Sequence, residues 1–277
     1  MFSVVTAGLP CRFPWENRIR VDHIRKDNIF FYHVRMRRGM VLPGNPSGLP
    51  WKGLSRVLAA SGGRTLLADG LSPPAKLMSG DWWKPPDMER FSRLMLKKGL
   101  EVLLSAAASS AMGQTAVLLD WNCRYQDFAD VLIRHFRTVQ VVTRSRGMYQ
   151  PYVEQKLYEC GAAVLTAEAL PECRQAALFV SPSGLILPAM REHPAPVFLP
   201  MPLRCSDIPA ERQVHSFRAE LPASFEALLP EGVDATAFQA ALFECCGLPG
   251  LGNAVPICCS VCDSWQNLES AAKWLFS

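Results

Sequence analysis

The sequence predicts an α/β protein: a Rossmann-like, mostly parallel sheet, with a β-rich N-terminal part and a helical C-terminal segment. Three observations carry this. Short apolar runs recur at residues 116–121, 139–144, 162–167, 176–181 and 196–201. Between them lie polar connections or segments with apolar residues at helical spacing. Upstream, two runs rich in β-branched and aromatic residues flank a polar tip, the signature of a hairpin. Strands that alternate with helices at this spacing build right-handed βαβ units around a parallel sheet.

The expected divisions are 1–112, a β-rich part plus a linking helix; 113–204, the Rossmann-like domain; and 205–277, a helical and loop segment packing on the rest. At 277 residues, 49% hydrophobic and 19% charged, the composition is that of a packed globular chain. The net charge of +4 is too mild to point to nucleic acid and weighs against it as a partner. The start has no basic n-region. The longest apolar stretch, 100–112, is too short to span a bilayer. The expectation is a soluble cytoplasmic protein without a membrane partner, whose ten cysteines are mostly reduced thiols.

In chain order, 18–25 and 29–38 form the hairpin, with Lys26, Asp27 and Asn28 at its tip. A two-residue turn at Asp27-Asn28 sets Ile24 opposite Phe31, Asp22 opposite His33, Arg20 opposite Arg35 and Arg18 opposite Arg37. Alternation then buries Ile19, Val21, His23, Tyr32, Val34 and Met36 on one face. The other face gathers Arg18, Arg20, Arg35 and Arg37. Like charges directly opposite one another repel. Four guanidinium groups together therefore call for an anion, either a bound phosphate or carboxylate or acids of the chain such as Glu16. Asp22 beside His33 is also a candidate acid–base pair.

A turn-rich loop at 43–48 follows, then a helix from Trp51 to Ala60 and a short strand at 65–68. The glycines near Lys52 do not make a phosphate loop. Pro86-Asp87 opens the linking helix, with Met88, Phe91, Met95 and Val102 near helical spacing; Gly113 ends it. The sheet domain then reads as strand 116–121, helix 125–136, strand 139–144, helix 151–160 ended by Gly161, and strands 162–167 and 176–181.

In open parallel sheets ligands bind beyond the carboxyl ends of the strands. Those ends offer Asp120, Asn122 and Arg124, then Thr143 and Arg144, then Ser181 and Ser183, a set suited to an acidic or phosphorylated small molecule. The first strand-to-helix turn lacks the glycines that let a pyrophosphate approach the backbone. The second strand ends in Thr143-Arg144 rather than in an acid for a ribose 2′-hydroxyl. Arg144 and Arg146 would accept a 2′-phosphate, so NADP stands as the alternative ligand.

The run Asp120-x-x-x-x-Tyr125, Val141-Val142-Thr143 and Cys160-Gly161-Ala162-Ala163 resembles that of an uncharacterised bacterial protein family with a degenerate Rossmann-like domain. The resemblance implies a fold and no activity.

In the last segment, Asp234 or Thr236 caps a helix that Gly247 ends. Glycines 247, 250 and 252 mark a loop, and Asp263 or Ser264 caps a closing helix through Leu275. Cys259-x-x-Cys262 has metal-ligand spacing, with Cys245 and Cys246 upstream. Lacking a second such pair or a local histidine, the cysteines read as structural or redox-tuned thiols, and no metal is expected. Nucleophile elbows, zinc-protease motifs and kinase signatures are missing from the sequence. The functional expectation is a non-catalytic binding or regulatory protein for a small anionic ligand. The alternatives are a divergent NADP-dependent oxidoreductase and an interaction module using the basic hairpin.

Overall fold

A computed structural model of the protein describes residues 2–8, 17–27, 29–39, 49–61, 65–68, 71, 84, 86–107, 114–169, 176–200, 205–221, 223–262 and 264–275. The chain divides into two compact units, Met1–Phe91 with Leu221–Asn253, and Ser92–Glu220 with Ala254–Ser277. This departs from the expected divisions, because the chain after residue 220 is shared between the units instead of forming a segment of its own.

The first unit holds a four-stranded sheet of β1 (Phe2–Gly8), β2 (Ile19–Lys26), β3 (Ile29–Arg37) and β4 (Leu66–Leu67), in the order β2-β3-β1-β4. The hairpin β2–β3 turns through Asp27, whose φ of 51° is one that an aspartate tolerates. Its register sets Ile24 opposite Phe31, Asp22 opposite His33 and Arg20 opposite Arg35. The Arg37 N–H donates to the Arg18 carbonyl at 2.8 Å. Helix α1 (Trp51–Ser61) brings Leu54 and Leu58 onto Val5, Val34 and Met36, with Ile19, Val21 and Tyr32 partly buried around them. His23, expected on this buried face, is exposed, because β2 is the outer strand. Its ring meets Tyr32 edge-on at 4.9 Å.

The opposite face of this sheet is apolar at one end, where Phe2 stacks on Phe31 at 5.2 Å and Phe238 closes over both.

Helix α2 (Glu89–Ala106) starts where Asp87 accepts the Glu89 N–H, and the division between the units falls within it. The part of the expected linking helix beyond 107 lies outside the described residues up to 113.

The second unit is built on eight strands: β5 (Thr115–Leu119), β6 (Thr138–Val142), β7 (Ala163–Ala167), β8 (Ala176–Val180), β9 (Val197–Phe198), β10 (Gln213–Ala219), β11 (Pro256–Val261) and β12 (Ser264–Asn267). Their order is β7-β6-β5-β8-β9-β10-β11-β12. The first six run parallel and the last two antiparallel. Helices α3 (Gln126–Leu132), α4 (Arg146–Cys160) and α5 (Pro188–Glu192) lie in the connections. The molecule is thus α/β, with mixed sheets of which the larger is mostly parallel. Val117, Leu119, Val142, Phe179 and Val197 form one core of this unit. Gly99 of α2 is required by packing: a Cβ there would stand 2.0 Å from the Phe217 ring of β10. No described helix is long and apolar enough to cross a membrane.

Several expected boundaries shift. Helix α4 begins at Arg146, five residues before Pro151, and carries that proline inside it at the loss of one backbone donor. Gly161 ends it at φ 65°. The expected C-terminal helical segment contains β10, β11 and β12. Ser264 is a strand residue, Asp263 lies outside the described residues, and the side chain of Asn267 accepts the Ser270 N–H to start helix α9 (Leu268–Leu275). In the first unit, helices α6 (Ala223–Glu226) and α7 (Ala235–Cys246) precede a short α8 (Pro249–Asn253) in place of the expected glycine loop. Asp234, not Thr236, caps α7 by accepting from the Thr236 and Ala237 amides at 2.9 Å.

Candidate functional site

Strand β5 lies between β6 and β8: the chain runs outward from β5 to β6 and β7 and resumes with β8 on the other side of β5, which leaves a fork at the end of β5. The residues just beyond β5, β6 and β8 border this fork. Most of the polar groups there are already engaged. Asp120 is fully buried. Its Oδ1 accepts the Arg124 N–H at 2.8 Å; its Oδ2 accepts the Tyr125 N–H at 2.7 Å and the Tyr149 hydroxyl at 2.5 Å. A carboxylate fits here because the amides entering a helix carry partial positive charge. Burial, and then the hydrogen bond to Asp120, push the Tyr149 hydroxyl far above its ordinary value of 10.0.

Thr143 is also fully buried. Its Oγ1 accepts the Ser145 N–H at 3.1 Å and donates to the Trp121 carbonyl at 3.4 Å. Buried Ser181 donates to the Leu185 carbonyl at 2.7 Å. Three of the seven expected strand-end residues therefore serve the fold. Asn122, Arg124, Arg144 and Ser183 remain exposed. The Arg144 guanidinium lies over the Trp121 ring, 4.3 Å from its centroid. Trp121, Leu185, Ile186 and Leu187 pack against the core cluster beneath, so the fork has an apolar floor. Arg146 donates to the Thr166 carbonyl at 3.1 Å.

Beside the fork, a cleft of 510 Å³ runs between α3 and α4, lined by Cys123, Arg124, Asp127, Asp130, Tyr152 and Lys156 among others. On its α4 side Lys156 contacts Asp130 at 3.0 Å and Glu159 at 3.1 Å, and the Tyr152 hydroxyl donates to Asp130 at 3.0 Å. Burial pushes the Cys123 thiol up despite its contact with Thr143, so it is no ready nucleophile at neutral pH. Tyr149 and Tyr152 of α4 were missed in the sequence. Their signal was a pair of polar-tipped aromatics three residues apart, hidden because the helix was started at Pro151.

On the hairpin, Arg20 and Arg35 do come together, and the anion between them is Asp22. Arg20 Nε reaches Oδ1 at 3.1 Å, and Arg35 reaches Oδ2 through Nε at 3.0 Å and Nη2 at 2.6 Å. The expected Asp22–His33 acid–base pair does not form, since the guanidinium groups claim the carboxylate. His33 Nε2 lies 3.0 Å from Thr6 Oγ1 instead. Burial raises the Asp22 carboxyl, but Arg35 and Arg20 outweigh it and leave it below its ordinary value. Burial, and then the charge on Arg35, lower His33. The Arg18 guanidinium covers Gly39, where a Cβ would stand 2.7 Å from its central carbon. Arg20 and Arg37 line an open cleft of 320 Å³ with Asn17 and Ile19.

Among the described residues, no group of three or more His, Cys, Asp or Glu side chains could hold a metal ion. Cys259 is buried in β11, its thiol pushed up to about 12 by burial and by Cys258. No known protein-family model matches the chain, and no curated protein matches it either.

Proposed function

We propose that the protein is a non-catalytic binding or regulatory protein for a small anionic ligand, taken up at the carboxyl ends of a Rossmann-like sheet by Asn122, Arg124, Arg144 and Ser183. Numbered along the second unit, the six parallel strands have the order 3-2-1-4-5-6, which is that of doubly wound nucleotide-binding sheets. In such sheets the ligand crevice lies at the fork where the strand order reverses.

The observation that carries the reading is the engagement of Asp120. Its carboxylate takes the Arg124 and Tyr125 amides, the groups a pyrophosphate would need at the first turn. What remains at the rim is two exposed guanidinium groups and two neutral polar side chains, which recognise charge and present no activated nucleophile. A phosphate monoester or a carboxylate suits this rim. The NADP-dependent reading has one point in its favour: Arg144 follows the second strand, close to where a ribose 2′-phosphate is bound in such folds.

A thermal-shift screen with sugar phosphates, nucleotides, dicarboxylates and NADP(H) tests the proposal, since a ligand of the folded state raises the midpoint. Small anions are expected to raise it, less so in Arg144→Ala and Arg124→Ala, with NADP(H) no better than its phosphate content explains. A large shift specific to NADP(H) would replace this reading with the redox one.

A further inference from the structure

We propose that the β2–β3 hairpin of the first unit is a sequence-independent binding surface for the phosphate backbone of duplex nucleic acid. The mild charge of the whole chain averages an uneven distribution. Residues 18–38 carry seven basic and two acidic side chains, five net positive charges, whereas the whole chain carries four. The rest of the protein therefore sums to one negative charge. Six of those seven cations are arginines, whose planar fork matches phosphate oxygens in pairs. Arg20, Arg25, Arg35, Arg37 and Arg38 are exposed.

Their arrangement selects a polyanion. Side chains two apart on a strand are about 7 Å from each other, and eight residues of strand extend about 27 Å. One small anion reaches two or three of these groups, whereas a phosphate backbone, charged at regular intervals, meets the whole series. The cations also occupy both faces of the ribbon: alternation sets Arg25 and Arg38 on the side of α1, and Arg20, Arg35 and Arg37 on the other. Because β3 is paired with β1 inside the sheet, the open approach is along β2, the edge that arginines of both faces border. Strand β2 is outermost in its described sheet. Asp22 holds Arg20 and Arg35 in fixed directions, which lowers the entropy lost on binding. Lys26 and Asp27 at the tip offer no large apolar group for a lipid surface.

The test is fluorescence anisotropy of the full chain against a short labelled duplex of random sequence, over a series of salt concentrations. Three or four phosphate contacts predict a slope of log affinity against log salt of about −3. The double variant R25E/R38E, outside the Asp22 clasp, is expected to bring that slope about two units closer to zero and to weaken binding. R144A is expected to leave it unchanged. R25A/R38A, which removes the two charges without adding acids, is expected to weaken binding and move the slope in the same direction, which keeps the test decisive if R25E/R38E folds poorly. The proposal is overturned by failure to bind at low salt, by affinity indifferent to salt or to these hairpin variants, or by tighter binding to phosphatidylserine vesicles than to the duplex.

Discussion

Two aspartates of this chain stand where an external anion would be looked for, and they do so differently. Asp120 in the second unit is sealed from solvent and takes two backbone amides and a tyrosine hydroxyl. Asp22 in the first unit is 26% exposed and holds two arginines that are themselves 69% and 44% exposed. A carboxylate fixed by amides inside the fold is part of the structure and cannot exchange with a ligand. A carboxylate that clasps exposed guanidinium groups orients them and leaves most of their donors facing water. The same residue type thus fills a buried turn in one unit and clasps a solvent-facing arginine pair in the other.

Removing Asp120 should have the largest effect. Asp120→Ala leaves two amides and the Tyr149 hydroxyl without their acceptor in a buried place, where each lost partner costs about 1–3 kcal/mol. A loss of at least about 3 kcal/mol in denaturant unfolding is expected. A loss below about 1 kcal/mol would mean that water reaches these groups and that the seal is not real.

Tyr149→Phe removes one of the three donors and should cost about 1.5–3 kcal/mol near neutral pH. It also gives a pH signature. The hydroxyl is raised above its ordinary 10.0 in the folded state, so the proton is held more tightly there than in the unfolded chain. That contribution is complete below pH 10.0 and declines as pH rises above it. The wild type should lose stability on that limb faster than Tyr149→Phe.

On the hairpin the acid limb is the sensitive one. His33 is lowered from 6.5 in the folded state, so the unfolded chain binds the proton first and stability falls as pH drops below 6.5. Asp22, lowered from 3.8, adds a further loss as pH falls below that value. His33→Gln should flatten the first step and Asp22→Asn the second, read from unfolding midpoints across acid pH.

The smallest effect on stability is expected from Asp22→Ala, below about 1 kcal/mol, because its partners are exposed and solvated. If its cost matched that of Asp120→Ala, the two aspartates would be doing the same job and the contrast would collapse.

How much of this the sequence disclosed depends on whether the information was local. The hairpin register was readable because a two-residue turn after Lys26 fixes the parity of every pair that follows. The strands of the second unit from Thr115 to Val180 were readable as apolar runs. Strands β11 and β12 were not, because Cys258, Cys259 and Cys262 drew attention to thiol chemistry and away from the alternation around them. The fate of Asp120 could not be read either. Its residue type and position at a strand end are those of a ligand contact, and only the fold brings Tyr149, 29 residues away, onto its carboxylate. Asp22 was placed opposite His33 as expected, but the sequence could not say that two arginines would outcompete the histidine for it.

Calorimetric titration of the wild-type protein with NADPH, set beside inorganic phosphate and a sugar phosphate, tests the closed strand-end site most directly. With Asp120 holding the amides of the first turn, NADPH should bind no more tightly than the small phosphates do. Tight binding of NADPH that survives high salt and is lost in Arg144→Ala would show that a dinucleotide is accommodated there, and would contradict the account.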